Sequence, residues 1–299
     1  MRQNHGYKAT EDGVRLFFQT LGDGPVPVVI PNVLFMLDDF SRLADGRALI
    51  FIDWRNRGRS ESGGSAEALA KGIEHDGDDL DRIRRHFHLE KLAVIGHSYS
   101  AVTAVLYARA HPEHVDRVVQ IGAMQPFLGK DYPAQLKCWD ETFADVMSAL
   151  QQLEHERSSN EPLEYCRKFW ELLRRLFVVN PRDTTKLKWD PCEAPNERNF
   201  MKQFTENVLP SLQKLNLMEA DLGRVQTPVL TIHGRKDRSA PYGGGRDWAR
   251  LLPNARLLTV DGGGHFPWVE EPQTVFASID AFLSGQWPQT ALEVVSMDI

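Results

Sequence analysis

Three residues of this 299-residue chain have the types and surroundings for one kind of chemistry. The apolar run Leu92-Ala93-Val94-Ile95 leads into Gly96-His97-Ser98-Tyr99-Ser100, and a stretch with Ala101, Ala104, Val105 and Ala108 follows. A serine held on a tight strand-to-helix turn projects its hydroxyl clear of the backbone, where an attacking oxygen must be. The usual form of that turn is G-x-S-x-G, with small residues that let strand and helix approach. Gly96 fits it, and Ser100 stands where the second glycine would be. A serine hydroxyl is a weak nucleophile until a base takes its proton, and the base needs a carboxylate to orient it. Downstream, His233-Gly234-Arg235-Lys236-Asp237 and Asp261-Gly262-Gly263-Gly264-His265 each follow an apolar run. The order serine, acid, histidine, with all three just past strands, predicts a triad of Ser98, Asp237 and His265 for acyl transfer. Three glycines before His265 predict a loop free to swing its imidazole toward Ser98. Taken singly, Asp237 reads equally as a turn residue ahead of Pro241, and His265 as a loop histidine. His97 is expected to point away from the site, and His86 and His88 to be solvated.

The elements that must hold these residues are legible as alternating runs. Val26 to Ile30, Ala48 to Ile52, Leu92 to Ile95, Val115 to Ile121, Pro228 to Ile232 and Ala255 to Val260 read as buried strands. A helix with Leu80, Ile83 and Phe87 on one stripe lies between the second and third. Another, with Phe276, Ile279, Phe282 and Leu283, ends near Gly285, and the residues after it carry no pattern. Between Met124 and Gly223 the periodicity is helical only. Phe143, Val146, Met147, Leu150 and Leu153 form one stripe; Cys166, Phe169, Trp170, Leu173 and Phe177 form another, with Pro162 at a first turn. The expectation is an α/β core of residues 1–123 and 224–299, with a mostly parallel sheet and helices on both faces, carrying a helical insertion over 124–223.

Composition narrows the partners. Forty-one acidic against 35 basic residues give a net charge of −6, which argues against nucleic acid or an anionic membrane. No apolar run approaches the roughly 20 residues a membrane span needs, and with polar sequence after Met1-Arg2-Gln3-Asn4-His5 no secretory leader is expected. Cys138, Cys166 and Cys192 are odd in number and far apart, so neither a disulfide framework nor a zinc ribbon is expected and the chain reads as reduced and cytoplasmic. There is no H-E-x-x-H, no Cys/His cluster and no G-x-x-x-x-G-K-[ST], so the chemistry is expected to need neither metal nor cofactor. Gly243-Gly244-Gly245 lacks a neighbouring lysine and reads as a turn, and Arg55, Arg57 and Arg59 as a loop pinned by salt bridges.

With these residues the chain resembles the α/β-hydrolase superfamily over essentially its whole length, and more narrowly its proline iminopeptidase branch and related esterases. Asp53-Trp54-Arg55-Asn56-Arg57-Gly58-Arg59-Ser60 is similar to that branch's D-x-R-G-x-G-x-S, with Asn56 for the first glycine. Tyr107 to Val115 and the 233–237 acid loop with Pro241 are similar too. Where the family has His-Gly-Gly-Pro after an early strand, this chain has Pro31-Asn32-Val33-Leu34. The resemblance implies an oxyanion hole made by the backbone N–H groups of Val33 and Tyr99, and makes the helical insertion a cap over the site. A carboxylate nucleophile, as in haloalkane dehalogenases and epoxide hydrolases, is excluded because position 98 is serine.

The expected activity is therefore hydrolysis of an ester or amide of a small acyl donor, or of a short peptide, through an acyl-enzyme. The alternatives are a carbon–carbon bond hydrolase or lyase with the same triad, and a small-molecule receptor on the same fold. An aminopeptidase must hold a cationic amine with a fixed carboxylate. Such residues come from the cap in proline iminopeptidases, and Glu197, beside Asn196 at a helix start, is the candidate here.

Overall fold

Apolar runs with no exposed face need cover on both sides, and the molecule supplies it. A computed structural model describes residues 4–63, 66–157, 161–194, 196–215 and 217–295. Its strands are Asn4–Ala9 (β1), Arg15–Leu21 (β2), Pro27–Pro31 (β3), Ala48–Ile52 (β4), Leu92–His97 (β5), Val115–Ile121 (β6), Val229–Gly234 (β7) and Ala255–Val260 (β8). They form one sheet in the order β1-β2-β4-β3-β5-β6-β7-β8. From β4 to β8 all pairings are parallel, while β1 and β2 form an antiparallel hairpin whose second strand runs antiparallel to β4.

The first helices are Val33–Phe40 (α1), Ala66–Ala70 (α2), Ile73–His86 (α3) and Tyr99–Ala110 (α4). Leu80 and Ile83 of α3 and Val102 and Val105 of α4 pack on one face of the sheet. Met36 and Phe40 of α1 pack on the other. Between β6 and β7 the described residues form helices and no strand: Glu141–His155 (α5), Pro162–Phe177 (α6), Phe200–Gln203 (α7), Leu209–Leu215 (α8) and Glu219–Leu222 (α9), with a π-helical turn, Phe204–Val208, joining α7 to α8. Asp140 caps α5 by accepting from Phe143 N–H, and Pro162 opens α6. Tyr242–Leu251 (α10), Pro267–Glu270 (α11) and Pro272–Leu283 (α12) complete the chain order. Gly243 to Gly245, expected as a turn, lie inside α10. Side chains there would strike Tyr132, Gln125 and His233, so close helix packing is what requires the glycines. Past α12, Leu292 bridges to Leu257 at the β8 edge.

The cysteines correct an expectation. Cys166 on α6 and Cys192 are joined in a disulfide, 26 residues apart in sequence, leaving Cys138 as the free thiol. Sequence spacing could not reveal the pair, because the chain after α6 turns back against that helix. Cysteine usage therefore no longer argues for a reduced chain. Closing a loop of that size removes unfolded-state entropy of about 3 kcal/mol. Reduction by a dithiol, or Cys166→Ser, is expected to lower the unfolding midpoint by roughly 5 °C. Scanning calorimetry with and without reductant checks this, and an unmoved midpoint would show that the bond contributes nothing.

Candidate active site

Ser98 sits between the last residue of β5 and the first of α4, with φ 57 and ψ −125. A side-chain-bearing residue at positive φ is strained, and the surroundings must over-determine it. They do: Ser98 N–H donates to Ile121 O at 3.0 Å, and Ser98 O accepts from Met124 and Ala101. Gly96 is required for a different reason. A Cβ there would lie 2.5 Å from Ser100 O and 2.7 Å from Ala101 Cα, so only glycine lets α4 start against the strand. Ser98 is half-buried, and the N–H of Tyr99 opens the first turn of α4, where no carbonyl one turn back can receive it.

Asp237 follows β7 and His265 follows β8, and the two side chains meet. His265 Nδ1 lies 2.8 Å from Asp237 Oδ2, which leaves Nε2 as the free ring nitrogen. Asp237 Oδ1 accepts from the N–H groups of Ser239 and Ala240, and Oδ2 also has His233 Nε2 at 3.3 Å. Burial alone would push this carboxyl up. The field of His265 and hydrogen bonds from His233 and His265 outweigh it and hold Asp237 well below the ordinary carboxylate range. His97, expected to point elsewhere, lies against the site: its Nε2 is 3.0 Å from His265 O, and the two rings are 4.5 Å apart. Burial first, and the neighbouring His265 second, keep His97 neutral. That tautomer donates to the carbonyl and ties the histidine loop to the residue preceding Ser98. None of Gly262, Gly263 and Gly264 has positive φ. Gly263 is needed because a Cβ would meet Val260 and Pro267, and Gly264 because it would meet Phe177 O. The glycines serve close packing, not backbone freedom.

A roof of aromatic rings from the helical segment lies over this pair. The Phe177 ring lies tilted 5.4 Å from His265, Trp189 5.9 Å from Phe266, and Phe35 of α1 edge-on 4.8 Å from Trp189. Arg238, beside Asp237, donates to Val178 O at 2.8 Å and pairs with Asp140 at 2.7 Å, so the acid loop also anchors the helical segment.

Residues 33–272 match the family model described as the alpha/beta hydrolase fold. The chain belongs to the α/β-hydrolase family. Among curated relatives, it is 26% identical over 282 residues to a pimeloyl-[acyl-carrier protein] methyl ester esterase of Chromobacterium violaceum, covering 91% of this chain and all of that one. It is 23% identical to a bifunctional esterase/perhydrolase of Acinetobacter calcoaceticus, covering 93% and 99%. Among solved structures, an esterase from Exiguobacterium antarcticum superposes with a TM-score of 0.70 at 16% identity over 93% of this chain and 98% of that one, which speaks to the fold.

This α/β-hydrolase departs from the family pattern at positions that answer one another. Asn32 and Asn56 replace glycines, and both have positive φ, 70 and 61. Asparagine tolerates that region best among residues with side chains, so the backbone course survives. Asn32 Nδ2 donates to Ser100 Oγ at 3.1 Å, and Trp54 Nε1 donates to the same oxygen at 2.9 Å. The hydroxyl at the second glycine position thus meets the amide of the residue that follows β3. No intervening loop follows Asn32; α1 begins at Val33. Here the expected hole is corrected, because Val33 N–H donates to Asp53 Oδ1 at 2.9 Å and is not free for a ligand. Asp53 also accepts from Arg59 N–H, yet burial pushes it up to about 7, helped by the charge of Glu197.

Glu197 is corrected too. Its carboxylate receives Arg57 Nε at 2.7 Å, Arg57 Nη2 at 3.1 Å and Gly58 N–H at 2.9 Å, and it is 2% exposed. A first-turn glutamate looked free in sequence only because its partner lies 140 residues away. Arg55 pairs with Asp79 and Asp12, each at 2.7 Å, as expected of a pinned loop. Next to Asp79, burial and that like charge raise Asp76 to about 8. The folded state keeps this proton to about pH 8, whereas an unfolded chain releases it near about 3.9, so stability falls as pH rises between those values. Asp76→Asn removes the loss. Its unfolding midpoint is expected to exceed the wild type's by an amount that grows from pH 5 to pH 8.5, and a difference independent of pH would contradict the sign.

Proposed function

We propose that this chain is a cofactor-independent serine hydrolase that cleaves carboxylic esters of small acids through an acyl-enzyme, with residues 124–223 acting as the cap. The observation that carries the reading is the His265–Asp237 hydrogen bond at 2.8 Å, tied through His97 to the strained turn of Ser98. In this reading Ser98 Oγ attacks the ester carbonyl as His265 Nε2 takes its proton. The developing imidazolium is stabilised by Asp237, which its N–H donors and the neighbouring histidines hold as an ionised acceptor against the effect of burial. His265 then returns the proton to the alcohol, and a water, deprotonated in the same way, releases the acid. Tyr99 N–H faces the oxyanion; Val33 N–H adds a second donor only by leaving Asp53.

Esters are favoured over prolyl amides because Glu197 already answers one cation, Arg57, and has no charge left for a substrate amine. The methyl ester esterase relative supports the same choice. A panel of short-chain nitrophenyl and methyl esters, prolyl amides and a vinylogous diketone tests it. Expected is an acyl-enzyme burst with esters and kcat/KM at least a hundredfold above prolyl amides. Faster cleavage of prolyl amides or of the carbon–carbon bond overturns the reading, and ligand-induced stabilisation without any turnover makes the protein a receptor.

A further inference from the structure

A small cavity lies between α3, the 55–57 loop, the first turn of α4 and the π-helical turn, and the chemistry above does not use it. His75 lines it with 7% of its surface exposed and no hydrogen-bond partner on either Nδ1 or Nε2. Beside it Asp76, 5% exposed, has a carboxyl with no hydrogen bond among the described residues. Buried polar groups are nearly always paired, so two unpaired ones facing one space point to an occupant. The cavity's volume is about 30 Å³, where one water needs about 10–15 Å³; it takes two or three waters or a group the size of a carboxylate.

The wall is rich in donors. Arg57, which already holds Glu197, donates to Tyr99 Oη at 3.0 Å, so the phenol's own hydrogen is left to donate. Asn207 donates to Gln203 Oε1 at 2.9 Å, and the amide hydrogens of Gln203 remain. Asp76, protonated at neutral pH, adds an O–H, and His75 an N–H. Acceptors are fewer, and a guanidinium forms one edge. Phe200 and Phe204 line the cavity on the cap side, with Phe200 4.3 Å from the Arg57 guanidinium.

We propose that this cavity is a carboxylate subsite, whose occupant's oxygens accept from His75, Asp76, Tyr99 and Gln203 beside the Arg57 guanidinium. Tyr99, which lines the cavity, directly follows Ser98 in the chain; in this proposal the carboxylate bound here belongs to the molecule whose ester Ser98 attacks. The substrate class is the half-ester of a short dicarboxylic acid. As a statement about substrates this rests on the esterase reading above; as a binding site it does not.

The test compares monomethyl and dimethyl glutarate as substrates, and glutarate as a ligand, for wild type, His75→Leu and Gln203→Leu. In wild type kcat/KM for the half-ester is expected to exceed that for the diester at least tenfold, and the ratio to fall to about one in either variant. Glutarate is expected to raise the unfolding midpoint of wild type and not of the variants. Two variants are used so that a misfolded His75→Leu leaves Gln203→Leu to decide. A diester preferred by wild type, a ratio unchanged in the variants, or glutarate stabilising all proteins alike or none overturns the subsite and leaves water as the occupant. Failure of wild type to cleave either ester counts against the esterase reading alone, and stabilisation by glutarate that depends on His75 still supports the subsite.

Discussion

Ser98→Ala is expected to lower kcat/KM for every substrate by at least about a thousandfold while leaving the fold intact. The expectation comes from the backbone as much as from the hydroxyl. A non-glycine residue at φ 57 costs of order 1–3 kcal/mol, and Ile121, Met124 and Ala101 hold it there. If the strain serves only to present the hydroxyl, removing Cβ as well should release it. Ser98→Gly is then expected to be as inactive as Ser98→Ala and more stable by about 1 kcal/mol. Denaturant unfolding of the three proteins measures the stability difference, and a fluorophosphonate probe identifies the nucleophile by mass spectrometry. Label on any other serine, or turnover in Ser98→Ala near that of wild type, would remove Ser98 from the mechanism.

What could be read without the fold divides along physical lines. Strands buried on both faces declare themselves as apolar runs, so Ala48–Ile52, buried at every position, has the ends expected of it. The N-terminal hairpin was not legible, because β1 is an edge strand with no buried residue and its Asn-His-Gly-Tyr-Lys-Ala sequence shows no alternation. The meeting of Asp237 and His265 was legible because each lies just beyond a strand and parallel strands share one end. The partners of Val33, Glu197 and Cys166 were not, since they lie 20, 140 and 26 positions away in sequence and no local pattern relates them. His97 shows the limit most plainly. Its place before Ser98 was evident, but its contact with His265 depends on how the loop after β8 returns to the end of β5, which no local pattern records.

Glu197→Ala is expected to destabilise the protein by about 3–5 kcal/mol, because it strands the guanidinium of Arg57 as an uncompensated buried charge. Arg57 is 7% exposed and Glu197 2% exposed, so solvent screens little of the pair. The loss is mostly the penalty of the orphaned cation, which the double variant Arg57→Met/Glu197→Leu isolates. With both charges gone and the volume kept, stability is expected to return to within about 1 kcal/mol of wild type, as replacing whole buried pairs often does. Urea unfolding of the single and double variants measures both. The pair also touches the residue that follows Ser98: Arg57 reaches Tyr99 Oη and lies 4.3 Å from the ring of Phe200. Glu197→Ala should therefore depress turnover of esters and amides by the same factor, through the position of the α4 start. An amine anchor behaves otherwise. Were Glu197 the residue that binds a substrate's ammonium, Glu197→Gln would raise KM for prolyl amides alone and leave unfolding almost unmoved, and that result would return the carboxylate from the interior of the fold to the substrate.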